Sequence, residues 1–367
     1  MIRRLYVHNY RCFENFELSF ADNSTLLLLG KNGSGKTTIG LVLELLQKIA
    51  RGTSRVGELV KPKDLAHGRS DVPMRIECEV ELAGNRYVYV IAFEYPPDFK
   101  ELRVFEEKLT INGKNAYART LAGITWANHK NSLGLDWHVV YLPIVQERSN
   151  DLVTVFKKWL SELLVLRPVP ALITGASNEE SLAPSSTLEN FGEWFSGLIA
   201  ESPAAYLTID RFLKDIMPDL HSITNPVSGD TRSMFVDFKE GKASTKIPFA
   251  DLSDGEKCFI ICATVVAANE AYGPLFCYWD EPDAYLAPDE IGQLMTTLRR
   301  AFNRGGQLVV SSHNPEAVSR FSDDSTLYLH RRSHVEPTTP HYLSSLRSRN
   351  AFIGDIADAL VRGDIEP

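Results

Sequence analysis

The chain opens with short stretches in which apolar and polar residues alternate. Leu5–Val7 and Phe16–Phe20 read as half-buried strands, and Thr25–Leu29 (TLLLL) as a fully buried one. A glycine-rich loop follows, and Thr37–Ala50 then carries its apolar residues at helical spacing. Met74–Leu82, Arg86–Tyr95 and Leu102–Ile111 predict an antiparallel meander, with turns at Ala83-Gly84-Asn85 and Pro96-Pro97-Asp98; Val139–Leu142 reads as a further short strand. From about residue 150 the period changes. Asp151–Leu166 reads as an amphipathic helix, Pro168–Pro184 as a loop, and Leu188–Ala200 and Ala204–Met217 as two more helices. No heptad is sustained there, which excludes a long coiled-coil arm. A β pair (Met234–Lys239, Thr245–Phe249), a helix from Asp254 to Ala271, a buried strand Leu275–Trp279, a helix Pro288–Phe302 and a buried strand Leu308–Ser311 complete the pattern. Strand, helix and strand in that order predict parallel pairing. The expected class is α/β: a core sheet with parallel strands, an antiparallel meander and a helical insert.

With 367 residues the chain exceeds a usual single core, so about two sub-structures are expected. Its net charge of −8 excludes a protein that coats nucleic acid with its whole surface, but leaves room for one basic groove. The five cysteines (Cys12, Cys78, Cys258, Cys262, Cys277) show no paired metal spacing, and Cys258 and Cys262 fall on one apolar helix as core residues, which points to a reducing compartment. No apolar run approaches the roughly 20 residues that span a bilayer, and residues 1–20 lack the apolar core of a signal peptide. A cytoplasmic protein without membrane contact is expected.

The chemistry concentrates in a few short stretches. Gly30-Lys31-Asn32-Gly33-Ser34-Gly35-Lys36-Thr37 fits the phosphate-binding pattern G-x-x-x-x-G-K-[ST], between a buried strand and an amphipathic helix. The glycines let backbone N–H groups approach phosphates, and the helix start adds partial positive charge. Lys36 would reach the β- and γ-phosphates of ATP, and the Thr37 hydroxyl would sit on Mg²⁺, with Thr38 a further hydroxyl. Asp280 and Glu281 end a buried strand, where Mg²⁺ needs a second anchor (Asp280) and an attacking water needs a base (Glu281). Leu252-Ser253-Asp254-Gly255-Glu256-Lys257 opens a helix as a capping box, with Ser253 as N-cap. Ser311-Ser312-His313-Asn314-Pro315 directly follows another buried strand.

The order of these motifs resembles the ATP-binding-cassette (ABC-type) P-loop ATPases, and within them the SMC/RecF-like branch. The opening Asn9-Tyr10-Arg11-Cys12-Phe13 is similar to that branch's N-terminal turn, Lys31-Asn32-Gly33-Ser34-Gly35-Lys36 carries its asparagine, and Asp280-Glu281-Pro282-Asp283 with Leu286 and Pro288 matches its acidic motif and D-loop. The resemblance implies an ATP-sandwich dimer. Lys31 to Thr38, with Arg11, would hold nucleotide, Ser253 and Gly255 of one subunit would cap the γ-phosphate bound to the other, and Asp283 would link the two sites. Glu281 would activate water, and His313 and Gln146 would sense the γ-phosphate, Gln146 also as a Mg²⁺ ligand beside Thr37 and Asp280. Gln146 lies after a strand and before the helical insert, where the Q-loop belongs. On this likeness residues 1–150 form the N-terminal part of the ATPase domain, 151–246 a helical insert, 247–330 the C-terminal part of that domain and 331–367 a tail.

Compact ATPases of this build resemble the PtuA-type and AriA-type proteins of bacterial anti-phage operons, which implies slow ATP hydrolysis controlling a partner nuclease or toxin encoded nearby. A RecF-like role in DNA maintenance and an ATP-gated scaffold that sequesters an effector are the alternatives. Arg51, Arg55, Lys61, Lys63 and Arg69 form the basic cluster near the nucleotide end, as a solvated loop or as a nucleic-acid contact.

Overall fold

The computed structural model describes residues 1–20, 23–121, 123–126, 129–148, 151–349 and 359. Two compact units divide the chain: Met1–Leu163 with the stretch from Asp323 onward, and Leu164–Ser322. The expected boundary at 246/247 coincides with neither. Residues 149 and 150, at the other expected boundary, and most of the tail beyond Arg349 lie outside the described residues.

In the first unit, strands β1 (Ile2–His8), β2 (Phe16–Ser19), β3 (Thr25–Leu29), β4 (Met74–Leu82), β5 (Asn85–Glu94), β6 (Arg103–Ile111), β7 (Lys114–Thr120), β8 (Gly123–Trp126) and β9 (His129–Leu133) follow in chain order. All but β3 join one antiparallel sheet, ordered β2-β1-β4-β5-β6-β7-β8-β9. The alternation sets its faces: Met74, Ile76, Cys78 and Val80 of β4 are buried, and the residues between them are not. On the outer side Arg4 bridges Glu17 and Glu77, each at 2.7 Å, tying three strands together. The meander therefore runs three strands further than expected.

Strand β3 is buried along its whole length. It pairs in parallel with Thr326–His330, which pairs antiparallel with Thr339–Tyr342. The stretch expected as a tail thus returns to build the first unit. Helix Lys36–Ala50 buries Ile39, Val42, Leu43, Leu46 and Ile49, and the Gln47 side chain donates to the Leu163 carbonyl.

Two expected elements are corrected. Val139–Leu142 is not a strand: Val139 makes a single bridge to Arg55, and Leu142–Ile144 is a 3-10 turn. The amides of Tyr141 and Leu142 donate to the buried Glu107 carboxylate (2.6 and 2.8 Å) rather than to a neighbouring strand. Asp151–Leu166 is not one helix either. The helix covers Leu152–Ser161, and the apolar run Leu164–Leu166 is a buried strand.

In the second unit Leu164–Leu166, Phe276–Asp280 and Gln307–Ser312 run parallel, with Leu164 opposite Cys277 and Asp280 opposite Ser311. Helix Asp254–Tyr272 is buried from Lys257 to Asn269, in keeping with its apolar sequence on every face. The stretch expected as a helical insert holds helices Phe191–Glu201 and Ala205–Ile216, but also antiparallel strands Leu220–Thr224 and Phe235–Glu240, the latter paired with Ala243–Pro248. All five cysteines are free and buried, and burial pushes the Cys258 thiol up to about 12. No helix among the described residues is long and apolar enough to cross a membrane.

Candidate functional site

The phosphate loop lies between β3 and helix Lys36–Ala50 in the first unit. Gly33 and Gly35 take φ of 80° and 104°, which side-chain-bearing residues rarely adopt. At Gly35 a Cβ would also meet Phe13 Cε1 at 2.7 Å and Cys12 Sγ at 2.9 Å. The N-terminal turn therefore packs directly on the loop. Lys31, Asn32, Gly33 and Thr37 are exposed, whereas Ser34, Gly35, Lys36 and Thr38 are buried. The Lys36 ammonium, on a side chain 6% exposed, donates to the Gly30 carbonyl at 2.7 Å, so the cation is stored inside the loop. Thr37 is exposed and so open to a Mg²⁺ ion, while Thr38 accepts from Cys12 Sγ at 3.6 Å.

Sequence reasoning missed the supports of this loop in the returning C-terminal stretch. Thr338 donates its hydroxyl to the Ser34 carbonyl (2.8 Å), its amide donates to the Cys12 carbonyl, and Arg331 donates to the Gly33 carbonyl (3.1 Å). No motif marks these residues. Arg11, expected at the nucleotide, is held by Asp64 at 3.0 Å and stands over the Tyr10 ring. Asn9 of the same turn is structural: its amide nitrogen donates to the carbonyls of Arg69 and Val72, and its amide oxygen accepts from the Ala66 amide.

Gln146 is exposed, on a loop in the first unit that is firmly anchored. Buried Lys157 donates to the carbonyls of Pro143 (3.0 Å) and Val145 (3.3 Å) and pairs with Glu147. Behind it Glu107 accepts from two amides and from the Tyr89 and Tyr117 hydroxyls, and Arg119 donates to the carbonyls of Val139 and Asp136. Burial raises the Glu107 pKa despite these donors.

The second unit carries the acid pair at the end of Phe276–Asp280. Asp280 Oδ1 accepts from Tyr278 (3.1 Å) and Ser311 (2.5 Å), and Ser311 Oγ in turn accepts the Glu281 amide at 3.0 Å. One buried hydroxyl thus orients one acid and pins the backbone of the other. Glu281 has φ of 48°, a strained backbone of the kind that clusters at functional sites, and His313 Nδ1 stands 3.6 Å from its carboxylate. Asp283, expected to link two subunits, is only 7% exposed; Ser312 donates to its Oδ2 at 2.7 Å and Oδ1 is buried without a partner. Burial raises its pKa.

Asp280 presents a carboxylate whose second oxygen has no hydrogen bond among the described residues, which fits a Mg²⁺ ligand. Among the described residues no group of three or more His, Cys, Asp and Glu could hold a metal by itself.

Ser253 caps helix Asp254–Tyr272. Its hydroxyl accepts the Glu256 amide and donates to the Glu256 carboxylate at 2.7 Å. A depression of about 390 Å³ opens there between Ser253, Gly255, Glu256, Met217, Tyr285 and Glu290.

Residues 1–117 match the AAA ATPase domain family. No curated protein matches the chain. Among solved structures it is similar to an SmcHead bound to the C-winged helix domain of ScpA, at 15% identity and a TM-score of 0.59 over 95% of this chain and 99% of that one. It is also similar to an Smc head domain with an extended coiled coil bound to the C-terminal domain of ScpA derived from Pyrococcus furiosus, at 14% identity and a TM-score of 0.51 over 95% and 98%. The chain therefore shares its fold with Smc head domains, and its first 117 residues match an ATPase domain family.

Proposed function

We propose that this protein binds MgATP and hydrolyses it slowly, and that turnover switches its association with a second copy and with a protein partner. The observation that carries the reading is the phosphate loop, with its left-handed glycines, stored Lys36 ammonium and exposed Thr37. In this reading Lys36 and Thr37 hold the phosphates and Mg²⁺ together with Asp280, and bound Mg²⁺ neutralises phosphate charge. Glu281 takes the proton of the water that attacks the γ-phosphorus as the bond to ADP breaks. His313, beside Glu281, and Gln146 on its anchored loop respond to the γ-phosphate, and Arg11 must leave Asp64 to join them. Ser253 and Gly255 cap the γ-phosphate of a second copy, which requires the Ser253 hydroxyl to leave Glu256.

The partner rests on likeness. The two similar structures are Smc heads with ScpA segments bound, and by analogy this chain passes its nucleotide state to a protein effector, a nuclease or toxin of an anti-phage system. The test compares two variants. Lys36→Ala is expected to lose ATP affinity by about 100-fold or more, because a desolvated polyphosphate is left without its cation. Glu281→Gln is expected to bind ATP normally, hydrolyse it about 100-fold more slowly, and form a larger species with ATP than with ADP in mass photometry. Equal loss of binding in both variants contradicts these roles.

A further inference from the structure

Helix Pro288–Asn303 leaves the acid pair and returns to the start of strand Gln307–Ser312. At 16 residues it is about 24 Å long, so its last turn lies at the opposite end of the parallel strands from Asp280 and Glu281. Around that turn an open depression of about 410 Å³ is lined by Thr296, Arg299, Arg300, Asn303 and Arg304. Among the described residues no carboxylate pairs with any of the three arginines. Arg3, Arg4, Arg11, Arg55, Arg69, Arg75, Arg86 and Arg103, by contrast, each pair with a carboxylate.

Arg299 is held in place by its neighbour. Its guanidinium stands 4.8 Å over the Phe321 ring, and its Nε is buried with no hydrogen-bond partner. A buried cationic donor without an acceptor is costly. The helix's own C-terminal partial charge, about half an elementary charge, does not balance three guanidinium groups.

We propose that this turn is a contact surface for the phosphodiester backbone of nucleic acid, separate from the ATP-binding machinery. The forked donors of arginine match phosphate oxygens. Arg300 and Arg304, the helix's C-cap, are four residues apart, hence neighbours on one face of the last turn, at a spacing that suits successive phosphates of a strand. An acidic protein segment fits less well, because the lining offers no apolar side chain to receive an anchor. The surface reads no sequence, since it holds backbone contacts only.

The arginines of the basic cluster at 51–69 are already engaged in the folded protein. Arg55 is paired with Glu101 at 2.8 Å, and Arg69 with Glu14 at 3.0 Å and Asp71 at 3.5 Å. Arg51 donates to the Ser161 carbonyl.

The experiment uses the full chain without nucleotide, so that it stands or falls apart from ATP hydrolysis. Anisotropy of a fluorescent mixed-sequence DNA duplex is titrated across a range of salt concentrations. The expected result is binding whose log affinity falls linearly with log salt. Arg300→Glu with Arg304→Glu should weaken it at least 10-fold at low salt and reduce the slope by about 2, whereas Arg55→Gln with Arg69→Gln should leave both unchanged. Arg300→Gln with Arg304→Gln repeats the test should the charge reversal unfold the protein, with the thermal midpoint as the check on folding. Wild-type affinity and slope in the folded arginine variants overturn the proposal, as does absence of duplex binding by the wild type at low salt. Polyglutamate that displaces the duplex as well as unlabelled DNA does also overturns it, and assigns the surface to an acidic protein.

Discussion

In the phosphate loop the backbone does the shaping, and at the acid pair the side chains do. Gly33 and Gly35 adopt left-handed conformations, and the loop is then buttressed through its carbonyls by Lys36, Arg331 and Thr338. Asp280, Glu281 and Asp283 are instead placed by the hydroxyls of Tyr278, Ser311 and Ser312, which belong to adjacent strands or their ends. The difference shows in what each can tolerate. A backbone-shaped loop fails when one atom is added, because φ cannot adjust and the space is full. A hydroxyl-placed pair loses its bonds one at a time, so its losses are graded.

The sharpest way to break this comparison is Gly35→Ala. The new Cβ meets Phe13 and Cys12 below 3.0 Å, at a φ that disfavours any side chain. Overpacking costs about 1–3 kcal/mol and the forced backbone about 1–2 kcal/mol more. Loss of ATP binding with a thermal midpoint several degrees lower is the expected outcome, read by calorimetry and nucleotide titration. Normal ATP affinity in this variant would show that the loop is not shaped by its backbone.

A smaller effect is expected at Ser311→Ala. The substitution removes the acceptor of the Glu281 amide and a donor to Asp280 inside a buried pair of strands, at a cost of about 1–3 kcal/mol. ATP binding without Mg²⁺ should persist, while Mg²⁺-dependent hydrolysis falls roughly 10-fold as the carboxylates lose their orientation. Ser312→Ala is the matched control, since its hydroxyl donates to Asp283 and accepts the Asn314 amide instead. Equal loss of hydrolysis in both serine variants would mean that neither hydroxyl has a specific partner.

The same contrast explains what was legible in the sequence. The loop's residue types are dictated by local conformation and lie in one run, so Gly30 to Thr37 declare themselves. Asp280 and Glu281 are equally visible as a strand-ending pair, but the role of Ser311 depends on which residue of the next parallel strand stands opposite Asp280, a register no local pattern encodes. The helices and buried strands follow from periodicity; the end of helix Leu152–Ser161 does not, because Leu163–Leu166 is apolar enough for either state. Glu107 is the clearest blind spot. A glutamate between polar neighbours reads as a solvated strand residue, yet it is buried and holds the turn before Gln146. Thr338 and Arg331, at the far end of the chain from the loop they support, carry no signal at all.

The smallest effect concerns Asp283, where a structural and an interfacial role diverge. Burial raises its pKa above the unfolded value of about 3.9. The stability tied to its protonated form is therefore fully present below that value and is lost as pH rises through the folded pKa. In Asp283→Asn the amide side chain would keep an oxygen for Ser312 but carry no titrating charge. The midpoint difference between this variant and the wild type should thus grow in the variant's favour as pH rises from about 4 towards 7, by no more than a few degrees. Parallel profiles across that range would show that the buried oxygen is not a titrating liability. If instead the variant fails to pair with a second copy in ATP while its midpoint stays that of the wild type at every pH, then Asp283 leaves Ser312 to act across the interface, and this acid is placed by the partner copy rather than by its own strand neighbours.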